Sequence, residues 1–143
     1  MLLTEGSSLT SRETLTALHK CGYEIDFMSS TRLPMSAFSW WRHKVIHTVD
    51  ANKAPRTYLK HIAYLLKNGG YDAILPTHEE AWLIAEGKDY LPQNAPIAIA
   101  TPAAFAQTQS KIGFALLLDK LDLPQPKWQE LGQDSPGKLT YPV

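Results

Sequence analysis

Residues 1–28, MLLTEGSSLTSRETLTALHKCGYEIDFM, hold one full unit of the pattern that decides the fold. Leu2 and Leu3 open a brief apolar run that stops at Gly6. Thr10 to about Lys20 reads as a helix. Thr10 with Glu13 three residues on is a capping-box pair, in which each side chain satisfies an orphan amide. Leu15 and Leu18 share one face of that helix. Gly22 ends it, glycine being the residue that tolerates the left-handed conformation after a last turn. Tyr23 to Met28 alternates weakly and reads as a second strand.

The same alternation continues outward. Ser29, Ser30, Thr31, Arg32 and Pro34 form a loop, and Ala37 to His43 reads as a short helix carrying Trp40 and Trp41. Adjacent residues cannot both face one side of a helix, so one tryptophan is expected to pack inward while the other meets a neighbouring domain or solvent. Lys44 to Val49 is a third strand. Arg56 to Lys67 is the clearest helix, because Leu59, Ile62, Ala63 and Leu66 fall on one stripe. Asn68, Gly69 and Gly70 stop it, and Tyr71 to Leu75 is a fourth strand ending at Pro76. Thr77 and Glu80 form a second capping-box pair, and Ile97 to Ala100 reads as a fifth strand. Thr101-Pro102 starts another helix and Ser110 caps a last one to about Leu121. Strands alternating with helices through short loops imply an α/β fold, a parallel sheet covered by helices. Ligands of such sheets bind at the carboxyl ends of the strands, which here means the loops starting at Glu5, Ser29, Pro76 and Thr101.

Composition narrows the class without naming a chemistry. The chain has 143 residues, 14 basic and 14 acidic side chains, 44% hydrophobic residues and one cysteine. The balanced charge argues against nucleic acid as a partner. A single cysteine excludes an internal disulfide and a cysteine-cluster zinc site. No apolar run approaches a membrane span, and MLLTEG is not a secretory signal, so the expectation is a cytoplasmic domain with no membrane partner.

Three places could carry chemistry. The loop Glu5-Gly6-Ser7-Ser8 leads into a helix N-terminus, where amides and hydroxyls can bind an anion; a polar turn with ordinary capping explains the same residues. It lacks the spaced glycines of a dinucleotide site, so a nicotinamide cofactor is not expected. Glu79 and Glu80 could orient an amine or a metal, but the residues alone favour structure: a capping box explains Glu80 and the helix dipole Glu79. Lys111 opens the last helix, where a cation opposes the dipole unless it faces an anion such as a phosphate. The five histidines show no metal-binding spacing and are read as non-catalytic, and no motif makes Cys21 a nucleophile.

In order and spacing, TEGSSLTSRET, LPMSAFSWW, YDAILPTHEEAW and SKIGFALLLDKLDLPQP together resemble the N-terminal region of ATP-grasp enzymes, in the carbamoyl-phosphate-synthase-like, carboxylate–amine ligase branch. The last motif is the most specific: Lys111 precedes Pro124 by thirteen positions, and Leu123-Pro124-Gln125-Pro126 follows the helix. The resemblance implies a pre-ATP-grasp domain, a Rossmann-like parallel sheet of about five strands with helices on both faces. It implies residues 1–109 as that domain and 110–143 as a linker helix and the start of an ATP-grasp domain, a fragment inactive by itself. The complete enzyme would use ATP and Mg2+ to activate a small carboxylate as an acyl phosphate for attack by an amine or similar nucleophile. Lys111 would contact an ATP phosphate, and Gly6, Ser7, Ser8, Glu79 and Glu80 would face the acceptor substrate. No catalytic residue and no metal ligand is expected in this chain. The expected partner is the downstream ATP-grasp domain, and a homodimer is compatible with the sequence. The alternative is a standalone Rossmann-like or flavodoxin-like module for a small anion or a partner protein.

Overall fold

The computed structural model describes residues 1–130. Residues 131–143, expected to belong to the start of an ATP-grasp domain, lie outside the described residues. The backbone forms two compact units, Met1–Ala100 and a second beginning at Thr101.

The first unit is a four-stranded parallel sheet in the order β3-β2-β1-β4. Its strands are β1 (Leu2–Leu3), β2 (Asp26–Ser29), β3 (Lys44–His47) and β4 (Ile74–Leu75). The helices are α1 (Leu9–Lys20), α2 (Pro55–Asn68) and α3 (Glu80–Glu86). Successive strand residues point to opposite faces, and each face has its own core. Leu3, Phe27, Ile25 and Leu15 of α1 cluster on one side, with Leu18 packed against them. Leu2, Met28 and Ile74 cluster on the other with Tyr58, Leu59 and Ile62 of α2 and Ile84 of α3. The stripe read from the sequence of α2 is the face it buries, with Ala63 and Leu66 at its margin.

The expected fifth strand is absent. Ile97 makes one isolated parallel bridge to Ile74. The reason is local: the Ile97 amide donates to Ala95 O at 2.8 Å inside its own turn, so it cannot extend a ladder. Ile74 N reaches Pro96 O instead, at 2.9 Å.

Other boundaries move for equally local reasons. The cap of α1 is Ser8, whose hydroxyl accepts from Ser11 N at 3.1 Å, so the Thr10–Glu13 capping box is not used. Gly22 follows α1 with φ +87°, as its position requires. The stretch expected to be a helix from Ala37 is a single 3₁₀ turn, Met35–Phe38. Neither tryptophan enters the core. Trp40 is 94% exposed, and the half-exposed Trp41 stacks on His19 of α1 with ring centroids 4.5 Å apart.

The second unit contains α4 (Pro102–Gln109) and α5 (Lys111–Lys120). Thr101 and Ser110 cap them, accepting from Ala104 N and Gly113 N. A β-carbon on Gly113, in the first turn of α5, would stand 3.0 Å from Gln107 O of α4, so the two helices approach closely there.

Gly6 is the tightest point of the first unit. A β-carbon there would overlap the ring of Phe27, which is fully buried and has nowhere to move. Gly6→Ala is therefore expected to cost about 1–3 kcal/mol, the usual range for overpacking a core, read as a lowered urea midpoint with the slope unchanged. A midpoint equal to the wild type would show that the loop is free to shift.

Candidate functional site

The strand order creates the site. The chain runs outward through β1, β2 and β3, then returns across the sheet to place β4 on the far side of β1. The order therefore reverses between β1 and β4, and the carboxyl ends of these strands border the crevice where open α/β sheets take ligands. Thr4, Glu5, Gly6, Ser7 and Ser8 leave β1 there, and Pro76 and Thr77 leave β4.

A hydroxyl-rich cluster fills this end of the sheet. The Glu5 carboxylate accepts from Ser7 N, from Ser8 N at 3.0 Å and from the Ser11 hydroxyl at 2.8 Å. Ser11, fully buried, also meets the Thr77 hydroxyl at 2.7 Å, joining the β1 loop to the β4 loop. Ser7 Oγ lies 3.1 Å from Ser29 Oγ and 2.8 Å from Thr31 Oγ1, joining it to the β2 loop. Ser29 and Thr31 are themselves 2.9 Å apart. Of these three hydroxyls, Ser29 is buried, Ser7 is half-buried and Thr31 faces solvent.

Beneath the loops lies a second, buried layer. The Thr4 hydroxyl donates to Glu80 Oε1 at 2.7 Å, and Thr77 N donates to the same oxygen. The Tyr58 hydroxyl donates to Thr4 O at 2.6 Å. Burial, and next the negative charge of Glu80, push the Tyr58 phenol far above its ordinary value, so it acts only as a neutral donor.

Electrostatics changes how the first loop reads. Burial works to raise the Glu5 pKa, but the hydrogen bonds from Ser8, Ser7 and Ser11 outweigh it and the carboxyl titrates below its ordinary 4.5. Glu5 thus holds, as an anion at neutral pH, the donors that an incoming anion would need. What the loop offers outward is hydroxyl groups rather than free amides.

The expected site residues part company here. Gly6, Ser7 and Ser8 lie in the cluster, with Gly6 O accepting from Ser36 N at 2.9 Å. Glu80 is buried and fastens α3 to β1 and β4. Glu79, one residue before α3, is exposed and caps nothing with its side chain. Lys111 is the exposed first residue of α5, in the second unit. Glu5, Ser11, Ser29, Thr31 and Thr77 complete the cluster without having been singled out as site residues. Their only signal in the sequence is position: Glu5, Thr31 and Thr77 lie just past a strand, Ser29 ends one, and Ser11 sits in the first turn of α1. Among the described residues no three His, Cys, Asp or Glu side chains are placed to hold a metal ion. No helix among them is long and apolar enough to cross a membrane.

No protein-family profile matches the chain, and no curated protein matches its sequence. The fold is similar to that of a solved structure, the phosphoribosylaminoimidazole carboxylase ATPase subunit from Aquifex aeolicus, with a TM-score of 0.54 and 14% identity. The match covers 88% of this chain and 34% of that one, so the chain spans about a third of that protein's length. At this identity the likeness is one of fold.

Two measurements test the site's architecture. Glu80→Ala leaves the buried Thr4 hydroxyl without its acceptor and is expected to cost about 1–3 kcal/mol, while Glu80→Gln, which keeps a carbonyl oxygen, costs less; equal losses would deny the bond its role. For Glu5, a native pKa below the unfolded one stabilises the fold above the unfolded pKa, and that contribution is lost as pH falls through the native pKa. The stability difference between wild type and Glu5→Gln should therefore be largest near neutral pH and shrink on acidification below the ordinary carboxylate value. A difference that does not change with pH would mean Glu5 titrates normally.

Proposed function

We propose that this chain is the N-terminal, pre-ATP-grasp domain of an ATP-dependent carboxylate ligase, and that its switch-point loops receive the acceptor substrate. The observation that carries the reading is the Ser7–Ser29–Thr31 hydroxyl cluster at the carboxyl ends of β1 and β2, beside the strand-order reversal. It sits in a fold similar to that of an ATPase subunit over 88% of this chain. The order of motifs ending in Lys111 to Pro126 adds the family.

The reaction class is phosphorylation of a carboxylate by ATP, then attack of an amine or similar nucleophile on the acyl phosphate with loss of phosphate. In this reading the chain binds and orients; the groups that move phosphate lie elsewhere, and no described residue is assigned to Mg2+. Ser7 and Thr31 can each donate to or accept from a polar group of the acceptor. Gly6 and Ser8 shape the loop beneath, Glu80 anchors the floor, and Glu79 stands exposed at the α3 end. Lys111 supplies a cation to an ATP phosphate, a charge-assisted contact. That role accounts for a lysine where the helix dipole disfavours one.

What supports this over a standalone small-anion module is the motif order through Lys111 to Pro126 together with the fold likeness over 88% of this chain. Glu5, already bonded to Ser7 N, Ser8 N and Ser11, leaves hydroxyls rather than those amides for the acceptor.

The test uses the ligase that contains this chain. Lys111→Ala should raise the Kd for ATP roughly tenfold, as loss of one charge-assisted hydrogen bond does, and leave acceptor affinity unchanged. Ser7→Ala should raise the acceptor's KM and leave the ATP Kd unchanged. Unaltered nucleotide affinity in the first variant removes Lys111 from the site; unaltered KM in the second removes the hydroxyl cluster.

A further inference from the structure

The amino-terminal end of the sheet, opposite the switch point, holds a second feature. A cavity of about 380 Å³ opens there, large enough for a small molecule. Its polar side chains come from Tyr23, Glu24, Asp26, His43, Tyr71 and Asp72. Gly22 and Gly70, both at positive φ, contribute bare backbone, so its wall carries no side chain at these points.

Asp26 forms the floor. It is 8% exposed, and both carboxylate oxygens are engaged: Oδ1 lies 2.7 Å from His43 Nδ1, and Oδ2 accepts from the Tyr71 hydroxyl at 2.6 Å. These bonds decide what the neighbours present to the cavity. The His43 imidazole spends Nδ1 on Asp26, which leaves Nε2 as its second polar atom. A phenol that spends its proton on Asp26 keeps its oxygen lone pairs. Burial, and then the bond to Asp26, push the Tyr71 phenol above its ordinary value, so it stays neutral.

The rim adds Glu24 and Asp72, both exposed. The His43–Asp26 pair is the only salt bridge among the described residues, so neither rim carboxylate is matched by a side-chain cation there. The Met1 ammonium also lines the cavity, and it donates to Glu24 O at 2.7 Å. Set against the one Met1 ammonium, three carboxylates leave the cavity with an excess of negative charge that repels an anion and attracts a cation.

We propose that this cavity binds a small organic cation that carries N–H donors, an ammonium or a guanidinium. The rings of Tyr23 and Tyr71 supply the aromatic surface such cations favour. The site is separate from the switch-point cluster and does not depend on the ligase reading, since its residues belong to the amino ends of the strands and the turns before them.

The experiment is an NMR titration of the isotope-labelled 143-residue chain with agmatine, at constant ionic strength. Saturable shifts are expected at the amides of Tyr23, Glu24, His43, Gly70 and Asp72. Glu24→Gln and Asp72→Asn, both exposed and outside the core, should each weaken binding roughly two- to fivefold, as single solvent-accessible charge contacts do. Tetramethylammonium, which has the charge but no N–H donor, should fail to compete. Shifts that do not saturate, that are unchanged in both variants, or that inorganic phosphate reproduces at the same amides would overturn the proposal.

Discussion

Two residues, Leu2 and Leu3, hold the middle of the sheet, and everything else is placed by them. They pair with Asp26 and Phe27 on one side and with Ile74 and Leu75 on the other. One points into the core under α2 and α3 and the other into the core against α1. Both are fully buried, and burying such a side chain contributes about 1.5–3 kcal/mol. A strand this short can be central only because both faces and both edges are covered at once. The consequence is functional as well as structural: β4 has to lie on the far side of β1 from β2, and that reversal puts the Glu5 and Thr77 loops side by side.

The two ends of the sheet then differ in character. At the carboxyl end, the chain's own carboxylate is already matched with donors at Ser7, Ser8 and Ser11, and the outward groups are hydroxyls. At the amino end, Asp26 ties His43 to Tyr71 and leaves acceptors facing a cavity. In both places a buried or half-buried acid sets what its neighbours can offer. A charge removed from water must be hydrogen-bonded, and the groups that satisfy it lose their free protons.

Much of the fold was readable from periodicity and punctuation. The stripe on α2, the stops at Gly22 and Gly70, and the caps at Thr101 and Ser110 are local matters, set by neighbours within a turn. The misreadings share one cause. Ile97 has strand composition, yet its amide is used by Ala95. Thr10 has a capping-box partner, yet Ser8 caps the helix because Glu5 draws the preceding amides inward. Trp40 and Trp41 suggested a half-buried helix, yet a 3₁₀ turn leaves one in solvent and the other on His19. In each case a competing partner, near in sequence for Ile97 and Thr10 and distant for Trp41, takes up the group that the pattern assigns elsewhere.

The amino-acid order by itself determined an alternating α/β chain, its helix faces, and Lys111 as an unusual cation at a helix start. Only the tertiary structure decided that Glu80 is a buried anchor while Glu79 is exposed, and that Glu5 occupies the anion position its own loop creates. It also decided that Ser7, Ser29 and Thr31 form one cluster, and that Asp26, His43 and Tyr71 form another. The bonds that close those groupings across the sheet join residues 17 to 76 positions apart. Their distances depend on strand order and register, and no local propensity contains either.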